Sequence, residues 1–417
     1  MTSGPRPIGS SPEEDMRDDV PDGTPDGARG DAATATAPAG AVHPAAAGRE
    51  VAREGSPAPD GGARASDRRA TLEEAILPPL VALAVALVVG DLLILVFGQS
   101  PGAVYRLLLE GTWGNAYGFG QVLYKATTLA CTGLAFAVAA RAGLFNIGAE
   151  GQLATGGFAA AVAGLALPTG TPGILAVPLC IVAALVGGGI VGWIPGWLRA
   201  RFGASEVIVT IMLNFIVLAL LNYVVAAHLH VPETLHTPDM HAGTVARLGD
   251  VIAAFAGSAA NTTILVAIAA SVALWWFLFR TRGGYDLRAV GLQPDAAEYG
   301  GVNVGRVWTR AMMLSGALAA LGGLNYVLGY KHYYEEGFAT GSGFLGIAVA
   351  LVGRNHPAGV LVAALLFATL SQGGLAVNAL VPKQMVDVLQ AVVILAVAIS
   401  VPEVRQALRA ARRAVTA

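Results

Sequence analysis

Residues 280–310, RTRGGYDLRAVGLQPDAAEYGGVNVGRVWTR, form a polar island between two apolar runs, each about long enough to cross a bilayer. The island carries Arg280, Arg282, Arg288, Arg306 and Arg310 against Asp286, Asp295 and Glu298. Short loops rich in arginine stay on the cytoplasmic side of a membrane, so the island is predicted to face the cytoplasm. Two short helical turns are expected within it, over 287–291 and 294–299. Pro294 suits the first position of a helix, where no N–H is needed, and Asp295 and Glu298 fall in its first turns, where the helix dipole favours negative charge. Glycine pairs at 283–284 and 300–301 bracket both turns. A short helix framed by glycines at the ends of two spans could dock on a soluble partner, and a plain connecting loop would have the same composition.

Working outward, the chain of 417 residues is 55% hydrophobic and 13% charged, with a mean hydropathy of +0.61. That is too apolar for a soluble globule and fits an all-α polytopic membrane bundle. Residues 1–68 are the exception, with 12 acidic and 7 basic residues and few large apolar side chains. Such a segment cannot bury enough apolar surface to offset chain entropy, so disorder is expected over 1–70. It also lacks the apolar core of a signal peptide. A transmembrane domain is expected over 75–402, and a basic cytoplasmic tail over 403–417.

Apolar runs predict about ten spans: 76–97, 121–140, 150–167, 173–197, 207–227, 262–279, 307–329, 342–353, 358–375 and 385–401. The third is marginal and the eighth too short to cross as a helix, so either could be re-entrant and eight spans are possible. With ten spans and a cytoplasmic N-terminus, the 18 basic residues beyond position 100 divide into 13 inside and 5 outside. That bias places both termini in the cytoplasm and the chain in the cell membrane. Spans two and seven, of opposite orientation, are each followed by a glycine-rich polar stretch, 141–157 and 333–346, a pattern that inverted repeats and chance glycine enrichment both produce.

Two polar constellations sit near span boundaries. Arg141–Gln152 (RAGLFNIGAEGQ) places Asn146, Glu150 and Gln152 among glycines. Polar groups at membrane depth face a cavity or a partner. They either line a pathway, or Glu150 pairs with Arg141 to pin a helix end. At the start of the fifth span Ser205 suits a helix cap, and Thr210 and Asn214, four apart, share one face, towards a pore or a polar helix contact. Asp91 and Asp387 read as interfacial. His228, His230, His236 and His241 fit no metal-site spacing, and Cys131 and Cys180 lie within apolar runs as packing residues, so no metal or cofactor is expected.

Catalytic signatures are missing. Lys125, Lys331 and Lys383 are the lysines of the chain and none follows a glycine, so there is no phosphate-binding loop, and no triad or paired-carboxylate site emerges. An enzyme or a nucleic-acid binder is not expected. An ion-coupled carrier stays open as an alternative, although it would need an intramembrane ionisable couple.

Four blocks in order, Arg141–Gln152, Glu206–Asn214, Arg288–Gly300 and Gly341–Gly353 with Asn355-His356-Pro357, resemble the permease subunits of nucleoside and simple-sugar ABC importers, within the branched-chain amino acid and ribose-type permease superfamily. The resemblance covers about 75–402. It implies uptake of a neutral polar solute, a cytoplasmic ATP-binding subunit, a second permease subunit and an extracytoplasmic substrate-binding lipoprotein. It also implies that Asp286, Arg288, Pro294, Asp295, Ala296, Ala297, Glu298 and Gly301 belong to the loop that engages the ATPase. The family's usual Glu is Asp295 here, and its Asn-Pro is Gln293-Pro294. On the same reading Asn146, Glu150, Gln152, Thr210 and Asn214 line or border the translocation path.

Overall fold

The computed structural model describes residues 84–396 apart from 86, 339, 383, 386 and 393. The expected tails, 1–70 and 403–417, lie outside the described residues. Within them the chain is helical, with isolated bridges at His236–Glu335 and Arg247–Asn261 as its only β pairing. Helix α1 (Leu87–Val96) is followed by α2 (Pro101–Thr112), bent by 111° from it. Next come α3 (Ala116–Arg141), α4 (Ala149–Ala166), α5 (Gly173–Phe202), α6 (Glu206–Val224) and a short α7 (Leu248–Val251). Then follow α8 (Thr263–Arg280), α9 (Arg282–Leu292), α10 (Pro294–Tyr299), α11 (Val304–Tyr326), α12 (Ser342–Val352), α13 (Pro357–Ala376) and α14 (Asp387–Ala396).

Six of these are long and apolar enough to cross a membrane: α3, α5, α6 with its π-helical extension to Leu229, α8, α11 with its extension to Lys331, and α13. The bent α1–α2 pair would make a seventh. Hydropathy places nothing between 97 and 121, where the structure has α2. Its ends are well specified: Ser100 accepts from the Ala103 N–H at 3.2 Å, and Pro101 holds the first position. The Arg106–Glu110 pair one turn apart (2.7 Å) dilutes the hydropathy of this helix without weakening it.

Small residues set the core. Gly188, Gly192 and Gly196 recur every four residues on α5 and lie against α11. A Cβ on Gly192 would stand 2.9 Å from the Gly316 Cα, and one on Gly196 2.8 Å from the Thr309 Cα. Without a hydrophobic drive between helices in lipid, such stripes let backbones touch and gain dispersion contacts. The same logic joins α3 to α12 and α13, where a Cβ on Gly133 would meet Val349 and Val360 at 2.9 and 2.8 Å. Cys131 and Cys180 are both buried and unlinked.

Contacts along the helices fix their directions. Thr128 of α3 reaches the Gly322 carbonyl, whereas Ala135, further along α3, accepts from Ser315, earlier on α11, so these two long helices are antiparallel. Helix α12 runs parallel to the second half of α3: the Thr132 hydroxyl donates to the Ser342 carbonyl (3.2 Å) and Arg141 Nε to the Asn355 carbonyl (3.0 Å). Helix α4 runs parallel to α11, with Gly156 against Ala320 and Gly157 against Gly323. It follows that α4 and α12 point in opposite directions with their N-termini together. Thr132 lies nine residues before the end of α3, so α12 starts about 14 Å in from that end, at 1.5 Å per residue. Both helices therefore begin deep in the bundle.

Candidate functional site

Glu150, 5% exposed, is in the first turn of α4, and its carboxylate accepts the N–H of Gly341 (2.5 Å) and of Gly343 (2.7 Å) at the start of α12. One side chain thus occupies the N-terminal ends of two helices, where unpaired N–H groups and both dipoles favour an anion. Charge-assisted bonds of this kind contribute roughly 1.5–3 kcal/mol each, which works against the desolvation of the buried group. Only glycine fits opposite it, because a Cβ on Gly343 would stand 2.6 Å from the Glu150 Cα. The pairing of Glu150 with Arg141 does not occur; Arg141 instead binds the Asn355 carbonyl and lies 5.8 Å from the Phe279 ring centroid. The two glycine-rich stretches that the sequence pairs as possible inverted repeats meet at this carboxylate.

The loop from α3 to α4 climbs back into the bundle without regular structure, and its neighbours satisfy its backbone. Asn146, fully buried, donates to Gln152 Oε1 (2.8 Å) and Ser315 Oγ (2.7 Å), and its own Oδ1 accepts the Gly148 N–H (2.8 Å). Asn214 of α6 accepts from the Gly151 N–H and donates to the Ile147 carbonyl, both at 2.9 Å. Thr210, one turn earlier, accepts from the Ile147 N–H at 3.3 Å. So the five path candidates form one connected block, with Thr210 and Asn214 facing the loop as their spacing predicts. Ser205 occupies the cap position of α6 but makes no side-chain cap bond, and Asn222, two turns beyond Asn214, donates to Glu336 at 2.6 Å.

Beside this block lies a cavity of about 180 Å³ whose wall includes Tyr124, Lys125, Thr128, Tyr326, Phe338 and Ser342. Tyr326 and Phe338 are stacked with centroids 4.6 Å apart, and the Tyr326 hydroxyl donates to Glu335. Lys125 Nζ donates to the carbonyl and hydroxyl of Ser371, both at 3.3 Å. Nearby, Asn325 of α11 donates to the Tyr124 carbonyl (2.8 Å) and Thr128 Oγ1 (2.9 Å) of α3, and accepts from Asn261 (3.0 Å) and from the Thr263 hydroxyl of α8 (3.1 Å). These residues escaped the sequence reading. The available signal was a lone Asn or Lys within an apolar run, which marks a polar contact but not its partner. Among the described residues no cluster of three or more His, Cys, Asp or Glu is arranged for a metal.

The polar island folds as two helices. Thr281 caps α9 through the Gly284 N–H (3.1 Å), and α9 extends over 282–292, longer than expected. Helix α10 covers Pro294–Tyr299, as its proline and acids predict. It closes with the Val302 N–H returning to the Ala297 carbonyl (3.0 Å) and the Gly301 N–H to Glu298 (2.8 Å), while Gly301 takes φ +86°. That closure requires a left-handed residue, which explains the glycine. Ala297 is buried with Val290 and Val304, whereas Asp295, Ala296 and Glu298 face outward. Pro294, Asp286 and Arg288 are half-buried, with the Arg288 guanidinium 5.2 Å from the Phe279 centroid. Around them Tyr285, Leu292 and Tyr299 are 63%, 85% and 98% exposed. At the other edge of α9, backbone meets backbone: a Cβ on Gly291 would stand 2.8 Å from the Arg141 carbonyl carbon and 3.0 Å from the Gly143 nitrogen.

Comparison with known proteins agrees with this architecture. Residues 118–398 match the family described as the permease component of branched-chain amino acid transport systems. The guanosine ABC transporter permease protein NupP of Bacillus subtilis is 38% identical over 338 residues, 78% of this chain and 93% of that protein. The nucleoside ABC transporter permease protein NupB of Lactococcus lactis is 36% identical, covering 78% and 91%. The glucose ABC transporter permease protein TsgB13 of Haloferax volcanii is 34% identical, covering 76% and 85%. These matches support the ABC permease over the ion-coupled carrier, and they make the chain an integral membrane subunit that transports rather than catalyses. A permease of this type works with an ATP-binding subunit and a substrate-binding protein. With helices that can span a bilayer and a match over most of its length, the chain belongs to the permease-component family of ABC transporters.

Proposed function

We propose that this permease imports a nucleoside, with simple sugars as the second class. The observation that carries the choice is the aromatic-walled cavity beside the junction of α4 and α12, with Tyr326 and Phe338 stacked and hydroxyls from Thr128 and Ser342. Flat rings stack on a nucleobase, hydroxyls meet a ribose, and the relatives named for guanosine and nucleosides favour that class. The relative named for glucose keeps the sugar reading.

In this reading ten segments cross the membrane: the six long helices, the bent α1–α2 pair, and α4, α12 and α14 with their approach loops. Both termini are cytoplasmic, as the arginine distribution supports. The tail over 1–70 is separate from the permease domain over 75–402. A second permease copy or homologue completes the path, an extracytoplasmic lipoprotein delivers the solute, and the ATPase docks on α9 and α10. Asn146, Glu150, Gln152, Thr210 and Asn214 border the path by holding the broken-helix loop in place. Movement of α9 reaches them through Gly291, whose backbone rests on Arg141 and Gly143. A push there shifts the α3–α4 loop, and with it the Glu150 carboxylate that joins α4 to α12.

The test is ATP-driven uptake of labelled guanosine by the permease reconstituted with its ATP-binding and substrate-binding subunits. Saturable uptake that unlabelled nucleosides suppress and glucose does not is expected. Uptake of glucose with none of guanosine would move the assignment to sugars, and replacement of Phe338 by alanine should slow nucleoside uptake severalfold while basal ATP hydrolysis persists.

A further inference from the structure

At the end of the bundle that carries α9 and α10, a groove of about 460 Å³ runs between the last turns of α5 and the first turns of α11. It is lined by Arg201, Arg306 and Arg310 near the helix ends and by Trp193, Trp197 and Met313 further along the helices. The geometry points to a binding site for an anionic phospholipid, with its phosphate among the three guanidiniums and an acyl chain along the tryptophans.

Charge is the first support. Arg199, also in the last turn of α5, is committed within the protein, pairing with Glu206 at 3.0 Å and lying 5.1 Å from the Trp308 centroid. Arg201, Arg306 and Arg310 are exposed and, among the described residues, none forms an ion pair. Three unpaired guanidiniums converging on one groove repel each other unless an anion lies between them, and guanidinium matches phosphate geometry well.

Depth is the second. Trp193 and Trp197 are stacked, with centroids 5.6 Å apart and planes at 19°, on the face of α5 that ends in Arg201. Eight residues of helix separate Trp193 from Arg201, about 12 Å, so the groove passes from headgroup to acyl level along its length. Met313 continues the apolar side on α11, two turns from Arg306. Tryptophan at the membrane interface with arginine above it suits a lipid, and basic pockets between spans bind anionic headgroups. The helices behind the groove are in close contact: Gly196 packs on Thr309, and the Thr309 hydroxyl lies 3.3 Å from the Gly196 carbonyl. A free phosphate would use the arginines but not the tryptophans, and the experiment separates the two.

The assembled transporter is placed in nanodiscs of phosphatidylcholine doped with phosphatidylglycerol, extracted gently, and its retained lipids are weighed by native mass spectrometry. Enrichment of phosphatidylglycerol over its share in the disc is expected, and wild-type protein without enrichment overturns the proposal whatever the variants do. The double variant Arg306→Gln/Arg310→Gln should retain it roughly thirtyfold less well, at about one kcal/mol for each arginine removed. Trp193→Leu should weaken retention while keeping both charges. Arg106→Gln, in the paired exposed site on α2, should change nothing. If inorganic phosphate in plain phosphatidylcholine raises the unfolding temperature as much as phosphatidylglycerol does, the groove is a simple anion site and the lipid assignment falls. It falls as well if the arginines are shielded from phenylglyoxal only when the ATPase is bound.

Discussion

The block around Glu150 and the helix pair α9–α10 invert the usual expectation for inside and outside. The block is polar and buried, yet its side chains bond one another or the backbone, from Asn146 with Gln152 and Ser315 to Asn214 with the α3–α4 loop. The helix pair is outside, yet it leaves Tyr285, Leu292 and Tyr299 uncovered. Buried polarity that is satisfied within the chain fixes shape, and exposed large apolar side chains that cluster mark a surface awaiting a partner. One region holds the frame, and the other is the surface proposed to receive the force of the ATPase.

The largest effect should come from breaking the frame. Glu150→Leu leaves the N–H groups of Gly341 and Gly343 without their acceptor in a buried setting, at roughly 1–3 kcal/mol for each orphaned group. Loss of folded protein in detergent, read by size-exclusion profile and unfolding temperature, is expected. Glu150→Gln keeps one acceptor oxygen and should fall between. A Glu150→Leu protein as stable as wild type would show that the two helix starts are held by something else.

Next is the link between the regions. Gly291→Val places side-chain atoms where the Arg141 and Gly143 backbones now lie, so α9 must move away from the α3–α4 loop. ATP hydrolysis should continue while uptake per ATP drops at least tenfold. Parallel loss of both activities would mean that Gly291 serves folding rather than coupling. Breaking the receiving surface comes third: Leu292→Asp and Tyr299→Asp leave the buried cluster of Val290, Ala297 and Val304 intact. Exposed anchors of this size contribute about 2 kcal/mol or more at an interface, so ATPase retention in pull-down should fall more than tenfold with no change in permease stability. Unchanged retention would remove α9 and α10 from the interface.

How far each region was legible follows from the range of its interactions. Helix α10 is set by neighbours in sequence, Pro294 at its start and Gly301 past its end, and its limits can be read from the chain. Thr210 and Asn214 share a face by spacing alone. Helix α2 was invisible to hydropathy because Arg106 and Glu110 are charged, although Ser100 and Pro101 announce its start. The partner of Glu150 was beyond reach, since Gly341 and Gly343 lie some 190 residues away and only the reversal of both chain segments brings them together. Arg141, nearer in sequence and of opposite charge, was the natural candidate. In the fold it lies at the far end of α3, while Glu150 sits beside the start of α12, level with Thr132.

The smallest effect concerns Asp295, where the resembling family carries Glu. Asp295 follows Pro294 in the first turn of α10, exposed, where the free N–H groups and the dipole favour negative charge by roughly 0.3–1 kcal/mol at an exposed site. Helix α10 does not depend on that contribution alone, because Ala297 anchors it and the Gly301 turn closes it. Asp295→Glu keeps the charge in the same turn and should leave ATP-driven uptake unchanged. Asp295→Lys reverses the sign, fraying the first turn without releasing the anchor, and uptake should fall about two- to fivefold with faster amide exchange confined to 294–299. Gly301→Val, which forces a β-branched side chain to φ +86°, should exceed it, since it removes the closure itself. If Asp295→Lys proves as damaging as Gly301→Val, the carboxylate must touch the ATPase directly, and Asp295 then belongs with Leu292 and Tyr299 on the receiving surface rather than with the residues that shape α10.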